Sequence, residues 1–538
     1  MIVHTPSQSL LLKVRPKAYS TLREIFPAHS KSLDYQGHNL ALPYNLSVVK
    51  VLRNMGIRAP SPIRYFYNWP RPARFDQVFD HQYTTADFLT LHPRCFVLNE
   101  QGTSKTASAL WAADYLMQLG RIQRVLIAAK LSTLEEVWLN EIFDVCMHRT
   151  ALVLHADADT RRERLAQPVD FYIINHDGLK ILGADIIKRR DIDLVIVDEA
   201  AAFRNAGTAL YKTLEKVSAG KKLWLLTGTP CPNAPTDAWA LARLVDKSRV
   251  PPYYNQFKRM TMNQVSTYKW VPKIGAHEIA YNAMQPAIRF KKSECLQLPP
   301  VTKTYRQCPL SDAQKLAYQQ MKNYCVAEAA KQQITAINAA DKLGKLRQIL
   351  CGAVKDTATQ QYITLDHAPR LKVLLETIEE ASAKVLIIVP YKGIVATLCA
   401  EIQAWHDHRK DGRRVMVMNG DVTPAKRTAI FRAFREDATL TELVCHPKVM
   451  AHGMNLTQAD LIVFYAPVFS NEDTTQVMDR FNRPGQTRKM TIVRMYATLL
   501  EKNIYAVVEG HALTQESILE LYQHEIMPYV QVESMQLV

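Results

Sequence analysis

The sequence has no long apolar run and no paired arrangement of cysteines. It contains no stretch of about 18 uninterrupted apolar residues, and its first residues lack the apolar core and small-residue cleavage site of a signal peptide. The nine cysteines are scattered, with no C-x-x-C pair and no Cys/His ligand spacing, which argues for a reducing compartment. We therefore expect a cytoplasmic protein with no membrane partner, no zinc and no disulfide framework.

The sequence also lacks internal repeats and low-complexity tracts, and it has comparatively few acidic residues. The 67 Lys and Arg against 51 Asp and Glu give a formal net charge of +16 at pH 7. A surplus of this size attracts polyanions through phosphate contacts and the release of counterions. A charge that serves only solubility is the alternative. Composition therefore favours nucleic acid as a partner without establishing it.

Short apolar runs alternate with longer amphipathic segments in two blocks, from FVLNEQ to KLWLLTG and from KVLIIVPY to MTIVRMYA. This pattern is typical of a parallel sheet with helices on both faces, so we predict the α/β class with two lobes. The stretch after Ser311 begins with a capping box and predicts a helical connector. The predicted domains are an N-terminal accessory α+β module (1–75), lobe 1 (76–297), the connector (298–365), lobe 2 (366–505) and a C-terminal tail (506–538).

The segment NEQGTSKT (99–106) lies between a predicted strand and a predicted helix, which is where a phosphate-binding loop sits. Lys105 is expected to reach the β- and γ-phosphates of ATP, and the Thr106 hydroxyl to bind Mg²⁺. Gly102, Thr103 and Ser104 of the same loop are also expected to bind the nucleotide. A coincidental S-K-T in an ordinary loop is the alternative.

Two carboxylates, Asp198 and Glu199, follow four apolar strand-forming residues in DLVIVDEAAAFRN (193–205). At the carboxyl end of a buried strand, Asp198 can hold the Mg²⁺ ion and Glu199 can orient or deprotonate the attacking water. An ordinary strand that ends in acidic turn residues is the alternative. Upstream, Gln82 is predicted to read the adenine edge, with Phe79 stacked on the base.

Three further segments carry a resemblance to a known family: LLTGTPCPN (225–233), HGMNLTQAD (452–460) and QVMDRFNRPGQTR (476–488). In this order, with the loop and carboxylates, they resemble the Swi/Snf-related branch of the DEAD/DEAH-type helicase superfamily two. The resemblance covers about residues 76–505 and implies two tandem RecA-like lobes. The N-terminal GHNLALPYNLSVVKVLRNMGI (37–57) resembles the short forms carried by bacteriophages, which would place the protein in a bacterial host cytoplasm.

The resemblance implies roles for residues outside the nucleotide loop. Arg480 and Arg483 would act as arginine fingers that neutralise charge on the γ-phosphate, and Gln476 would help to sense the nucleotide. Thr227 and Thr229 would couple the site to the DNA track. The track itself would use hydroxyls, amides and lysines that hold phosphates without reading bases. Its expected members are Lys130, Ser132, Asn175, His176, Tyr391, Lys392, His446, Lys448, Asn455 and Thr457.

The sequence departs from the family pattern at four places. Ser104 replaces a glycine, but its N–H still donates and we expect a helix-compatible φ, so that binding is weakened at most. Ala201 stands where a histidine is common, and Asp479 where many members have glycine. The usual Ser/Thr-Thr-Lys is replaced by the segment 446–448, which is His-Pro-Lys. None of these changes removes a residue assigned to the chemistry.

These features predict an ATP-dependent motor that binds and translocates on double-stranded DNA. One alternative is a DNA-binding or assembly protein that kept the fold and lost hydrolysis. Another is a strand-separating helicase of a DNA or RNA branch. The basic and aromatic segment 231–297 is a candidate for a duplex-gripping surface, and ordinary lobe-to-lobe packing is the alternative for it. The N-terminal module is a candidate site for a protein partner.

Overall fold

The computed structural model describes residues 1–35, 37–72, 77–231, 234–265, 270–295, 299–329, 336–356, 359, 361–451, 456–482, 486–510, 521–522 and 525. The chain forms two compact units, Met1–Leu296 and Gln297–Val538. Within the described part, no helix combines the length and the apolar character that crossing a membrane requires.

The first unit begins with a small module built on an antiparallel sheet of order β1-β2-β4-β3. In β4 the residues His38, Leu40 and Leu42 alternate with less buried ones, which is the period of a half-buried strand. The side chain of Asn45 caps the second helix by accepting from Val48 N at 3.0 Å. The elements of the module are β1 (Ile2–His4), β2 (Ser9–Leu12), α1 (Pro16–Ile25), β3 (Lys31–Tyr35), β4 (His38–Pro43), α2 (Leu46–Asn54) and α3 (Ile63–Phe66).

The rest of the first unit is a seven-stranded parallel sheet of order β13-β5-β10-β9-β6-β8-β7 with helices around it. Its strands are β5 (Arg94–Val97), β6 (Arg124–Ala129), β7 (Ala151–Val153), β8 (Phe171–Asn175), β9 (Ile192–Asp198), β10 (Lys222–Leu226) and β13 (Ala287–Ile288). A separate hairpin pairs β11 (Met262–Gln264) with β12 (Trp270–Pro272). The four residues Leu194 to Val197 are fully buried, which is why the sequence of β9 is continuously apolar.

Ten helices belong to this part of the first unit. They are α4 (Asp80–Leu91), α5 (Lys105–Gln118), α6 (Asn140–Val145), α7 (Ala158–Ala166), α8 (Gly178–Lys188), α9 (Ala209–Val217), α10 (Ala238–Val245), α11 (Tyr254–Thr261), α12 (Ala276–Ala283) and α13 (Lys292–Cys295) in the described residues. Short 3-10 or π-helical turns occupy Leu131–Thr133, Leu134–Leu139, Ala200–Phe203, Pro235–Asp237 and Lys247–Arg249. One buried cluster lies on each face of the sheet, with Ile196 in one and Val197 in the other.

The second unit contains a six-stranded parallel sheet of order β14-β21-β20-β17-β19-β18. The strands of this unit are β14 (Val301–Gln307), β15 (Ala353–Lys355), β16 (Tyr362–Thr364), β17 (Lys384–Ile388), β18 (Arg414–Met418), β19 (Leu440–Cys445), β20 (Ala459–Phe464) and β21 (Met490–Tyr496). Its helices are α14 (Asp312–Ala329), α15 (Ala336–Cys351), α16 (Ala368–Glu379), α17 (Lys392–Arg409), α18 (Pro424–Glu436), α19 (Asn471–Phe481) and α20 (Leu499–Gly510). The predicted α/β fold of two tandem RecA-like lobes is confirmed.

The segment predicted as a helical connector (298–365) differs in part from that prediction. It contains the helices α14 and α15, but β14 joins the second sheet by pairing with β21, from Val301 opposite Met490 to Gln307 opposite Tyr496. As an edge strand, β14 keeps most of its side chains in contact with solvent. Its sequence VTKTYRQ therefore lacks the continuous apolar run by which the inner strands were recognised.

Candidate active site

Three neighbouring parallel strands bring the predicted chemical residues to one edge of the first sheet. The loop 99–106 follows β5, the threonine-containing segment follows β10, and Asp198 ends β9. Register pairs Val97 with Leu226 and Leu226 with Asp198, so the three carboxyl ends are level. Ligands of open parallel sheets bind outside this edge. The structure therefore places Lys105, Asp198 and the segment after Leu226 together.

The loop that precedes α5 has the backbone form of an anion site. Gly102 has a φ of 81°, and helix α5 begins at Lys105, so that the free N–H groups of its first turn face the loop. The Lys105 ammonium donates to the carbonyl oxygens of Asn99 at 2.8 Å and Glu100 at 3.1 Å. Thr106 lies beside it in the first turn and is half-buried. This donor set fits a nucleotide phosphate, and the Thr106 hydroxyl fits a magnesium ligand.

Ser104 does not have the helix-compatible φ that we predicted from the sequence. Its φ is 55° and its ψ is 45°, which is the left-handed region. A side chain crowds the backbone there and costs roughly 1–2 kcal/mol, whereas glycine adopts this conformation freely. The glycine of the usual pattern is thus explained by backbone geometry, and the expectation for Ser104 was wrong on this point.

We expect Ser104→Gly to raise the free energy of unfolding by about 1 kcal/mol, because it relieves the left-handed strain. The check is chemical denaturation of the parent protein and the variant side by side. Ser218→Gly is a suitable control, because Ser218 has a negative φ of −89° and should lose stability on this change. Equal destabilisation by both changes would contradict the strain at Ser104.

Packing also fixes the first part of the phosphate loop, at Asn99 and Gln101. Asn99, which replaces a glycine of the usual pattern, is 1% exposed. Its amide donates to the Thr85 hydroxyl at 2.9 Å and accepts from Phe290 N at 3.0 Å. A Cβ on Gly228 would lie 3.3 Å from the backbone nitrogen of Gln101, so glycine lets the LTGTP segment approach the loop. Asn99 therefore supports the loop from within the fold.

The carboxylates at the end of β9 are held by specific hydrogen bonds. Asp198 accepts from the indole N–H of Trp138 at 3.1 Å and from Glu199 N at 3.0 Å. Glu199 has a left-handed φ of 51°, and its carboxylate accepts from the Gln101 amide at 3.3 Å. Strained backbone of this kind clusters at functional sites. The geometry turns Glu199 toward the phosphate loop.

Two histidines that contact these elements have lowered pKa values. His176 Nε2 lies 2.9 Å from the backbone oxygen of Asp198, and burial lowers the pKa of this imidazole. His81 Nε2 lies 3.1 Å from the backbone oxygen of Thr103, and burial lowers its pKa as well. Both rings are therefore favoured as neutral groups at pH 7. In the structure the His176 ring contacts the carboxylate strand, and its predicted contact with DNA stays a prediction.

Sequence reasoning missed Trp138 and His81. Trp138 is fully buried in the helical segment after β6, and a single tryptophan in an amphipathic stretch gives no sign that its N–H reaches Asp198. His81 directly precedes Gln82, and that proximity was the available signal. The Gln82 side chain itself accepts from Phe79 N at 2.8 Å, so it fastens the start of α4, and Phe79 stacks on His81. Adenine recognition by Gln82 remains a prediction.

The other predicted residues of the first unit lie on loops at the same edge. The Lys130 carbonyl accepts from Thr133 N at 2.9 Å, and Ser132 lies in the same 3-10 turn, with its side chain outside the described residues. Asn175 accepts from Arg161 Nη1 at 3.1 Å. Of the predicted coupling residues, Thr227 is buried and Thr229 is exposed, and Thr229 N donates to the Thr227 hydroxyl at 3.3 Å.

In the second unit, two pairs of predicted DNA-binding residues follow two adjacent strands, β17 and β19. Cys445 pairs with Ile388, so the segment with Tyr391 and Lys392 and the segment with His446 and Lys448 leave the same edge of the sheet. Lys392 and Lys448 are exposed, and Lys392 Nζ lies 2.5 Å from Asp421. Tyr391 donates to Gly344 O at 3.4 Å. Burial raises the pKa of Tyr391 and lowers that of His446.

The motif on α19 is only partly described. Gln476 is buried, and Arg480 lies one helical turn later, where its carbonyl accepts from Leu456 N at 3.1 Å. Thr457 is half-buried next to Leu456. Arg483 and Asn455 lie outside the described residues. The structure thus brings Gln476 and Arg480 to neighbouring turns of one helix.

Comparisons with known proteins agree with these motifs. A family model of the SNF2-related domain matches residues 81–355, and one of the helicase conserved C-terminal domain matches residues 369–485. An uncharacterized ATP-dependent helicase of Mycoplasma pneumoniae is 22% identical over 436 residues, covering 78% of this chain and 40% of that protein. The DNA excision repair protein ERCC-6 of Mus musculus is 23% identical over 390 residues, covering 67% and 26%.

A solved structure is also similar to this chain. The Sulfolobus solfataricus SWI2/SNF2 ATPase core in complex with dsDNA matches with a TM-score of 0.41 and 18% identity, covering 85% of this chain and 98% of that one. The chain spans less than half the length of the two curated relatives named above.

Proposed function

The chain belongs to the SNF2-related family, whose domain matches just over half of it, and we propose that it is an ATP-dependent motor that binds and translocates on double-stranded DNA. One observation carries this proposal. The phosphate loop, the LTGTP segment and the Asp198–Glu199 pair follow three adjacent parallel strands and meet at one sheet edge. A phosphate loop with a lysine and a threonine, facing two carboxylates, supports nucleotide hydrolysis.

In the proposed site each residue has a distinct task. Lys105 and the N–H groups at the start of α5 bind the β- and γ-phosphates, with His81 fixing the loop at Thr103. Thr106 and Asp198 hold Mg²⁺, and the Trp138 indole orients Asp198. Glu199 accepts the proton of the attacking water. Bound ATP supplies the phosphoanhydride bond whose hydrolysis drives movement.

We assign the second unit the charge-neutralising role. Arg480 and Arg483 place positive charge on the γ-phosphate in the hydrolysing state, and Gln476 senses the nucleotide. The loops with Lys130, Ser132, Asn175 and His176, and those with Tyr391, Lys392, His446, Lys448, Asn455 and Thr457, hold DNA phosphates. Support comes from the net charge of +16 and from the exposure of Lys392 and Lys448.

A bacteriophage origin and action in a bacterial host cytoplasm remain predictions from the N-terminal segment. The same holds for a protein partner at the N-terminal module. Neither is needed for the motor proposal, which depends on the residues of the sheet edge.

The proposal is tested by ATP hydrolysis with no nucleic acid, single-stranded DNA, duplex DNA and RNA. We expect the strongest stimulation by duplex DNA, and a fall of about 10²-fold or more in Glu199→Gln, which removes the general base. Glu215→Gln is the matched control, because Glu215 pairs with Lys247 at 2.8 Å on the outside of the same unit. Stimulation by RNA or single strands alone would reject the duplex motor in favour of a helicase of another branch.

Two observations favour a second candidate, a DNA-binding protein that no longer hydrolyses ATP. The left-handed φ of Ser104 strains the loop that must approach the phosphates, and Ala201 removes a family histidine. This candidate predicts that DNA shifts in a gel without nucleotide and that no hydrolysis occurs under any condition. Restored hydrolysis in Ser104→Gly would then locate the loss in the phosphate loop.

A further inference from the structure

Two basic and three aromatic side chains form one row outside the nucleotide site. The Arg243 guanidinium lies 5.1 Å from the ring centroid of Trp239 on α10, and Trp239 meets Tyr254 edge-on with centroids 5.6 Å apart. Tyr254 is one helical turn from Lys258 on α11. The Lys258 ammonium lies 4.0 Å from the centroid of Trp270 on β12. We call these five residues the aromatic row.

The row ends on a hairpin whose strands, in the described residues, do not pair with the seven-stranded sheet of the same unit. Strands β11 and β12 pair only with each other in the described residues, and Met262 is their one buried member. A two-stranded hairpin has little stability of its own, so this one depends on α11 through contacts such as Lys258 with Trp270. Helix α11 packs against the turn Pro235–Asp237, which follows the LTGTP segment. The row therefore starts near the chemical edge of the sheet.

The surroundings of the row are basic and rich in exposed apolar groups. The segment 251–283 contains four Lys or Arg residues and one acidic residue. Its exposed apolar side chains are Tyr253, Tyr254, Met260, Val265, Ile274 and Tyr281. Of the three rings in the row, Tyr254 is exposed and Trp239 and Trp270 are half-buried. A phosphate backbone is bound by charge and hydrogen-bond donors and does not use rings such as these. They are suited to the faces of unpaired bases, because bases inside a duplex are already stacked on each other.

We propose that the aromatic row binds the unpaired bases of a single DNA strand. Tyr254 and Trp270 stack on bases, and Arg243 and Lys258 hold the adjacent phosphates. This adds to the proposed motor a second DNA contact for the displaced or invading strand at a junction. It extends the earlier prediction of a duplex-gripping surface and changes the partner from duplex to single strand.

The test measures the binding of a fluorescent thymidine oligomer of about 20 nucleotides, long enough for one such site, and of the matching duplex. Fluorescence anisotropy is recorded without nucleotide. In Tyr254→Ser/Trp270→Ser we expect single-strand affinity to fall about tenfold or more, the effect of losing one to two stacked bases. Duplex affinity and duplex-stimulated hydrolysis should stay within about twofold. Tyr254→Ser is also measured alone. Because Tyr254 is exposed and lies outside the hairpin, a loss of affinity in this variant cannot be attributed to misfolding of the hairpin.

Tyr281→Ser is the control, because Tyr281 is 41% exposed on α12, close to the 43% of Tyr254, but lies outside the row. The proposal is overturned if the parent protein does not bind the oligomer, if the variants bind it normally, or if duplex affinity falls as much as single-strand affinity. The proposed role of the row at a DNA junction rests on the proposed motor function, but its binding to a single strand does not. Because binding is measured without nucleotide, absent hydrolysis would reject the motor and leave the row to be judged by its own data.

Discussion

Arg480→Ala is expected to lower DNA-stimulated ATP hydrolysis by a factor of about 10³ or more while ATP still binds. A finger arginine stabilises charge that develops only as the γ-phosphate transfers, so its loss affects the chemical step more than the ground state. Arg480 lies in the last turn of α19, and alanine is a good helix former. The helix that carries Gln476 should therefore remain folded in the variant.

The measurement combines steady-state hydrolysis with binding of a fluorescent ATP analogue. Arg480→Lys separates charge from geometry, since lysine keeps the charge but lacks the planar fork of donors, and we expect it to recover only a small part of the rate. Arg432→Ala on α18 is the control, because Arg432 is exposed and pairs only with its neighbour Glu436 in the described residues. A loss of nucleotide binding equal to the loss of hydrolysis would assign Arg480 to binding and not to catalysis.

Much of the fold was predictable because the buried strands of a parallel sheet have continuously apolar sequences. The runs LVIVD and KVLII became β9 and β17, each buried on both sides. Strand β14 was not recognised, since an edge strand with a solvent-facing side has no such run. The hairpin of β11 and β12 was not predicted from the sequence for a similar reason. Apart from the buried Met262 its residues are exposed or half-buried, and each strand has only three residues, which is too short for a clear apolar pattern.

The site was predictable where chemistry demands a residue type at a fixed place. Lys105 was predicted from the loop between a strand and a helix, and Asp198 and Glu199 from the end of a strand. The structure brings these segments to one edge of the sheet. Backbone conformation was not predictable in the same way. The left-handed φ of Ser104 differs from the φ expected for a serine, because the loop requires a backbone conformation that serine adopts only when its surroundings constrain it. The role of Trp138 was not predictable, because its hydrogen bond to Asp198 joins residues 60 positions apart in the sequence.

Arg370→Met is expected to lower the free energy of unfolding of the second unit by about 3–5 kcal/mol, the usual loss when one partner of a buried ion pair is removed. Arg370 is 1% exposed, and its partner Glu501 is fully buried. The guanidinium donates to the two carboxylate oxygens of Glu501 at 2.9 and 3.1 Å and to the backbone oxygen of Tyr465 at 3.0 Å. Methionine fills the volume but removes the guanidinium, so Glu501 keeps the hydrogen bond from Ala497 N at 2.7 Å and loses its cationic partner.

The pair is best tested by a double-mutant cycle in chemical denaturation. Because the cost of Arg370→Met arises from the stranded Glu501 charge, the double variant Arg370→Met/Glu501→Leu should recover a large part of the lost stability. Arg306→Met is the matched control, since its partner Glu380 is exposed, and we expect a loss of about 1 kcal/mol or less. If the double variant were less stable than either single variant, the arginine would act through packing and its carbonyl bonds and not through the carboxylate.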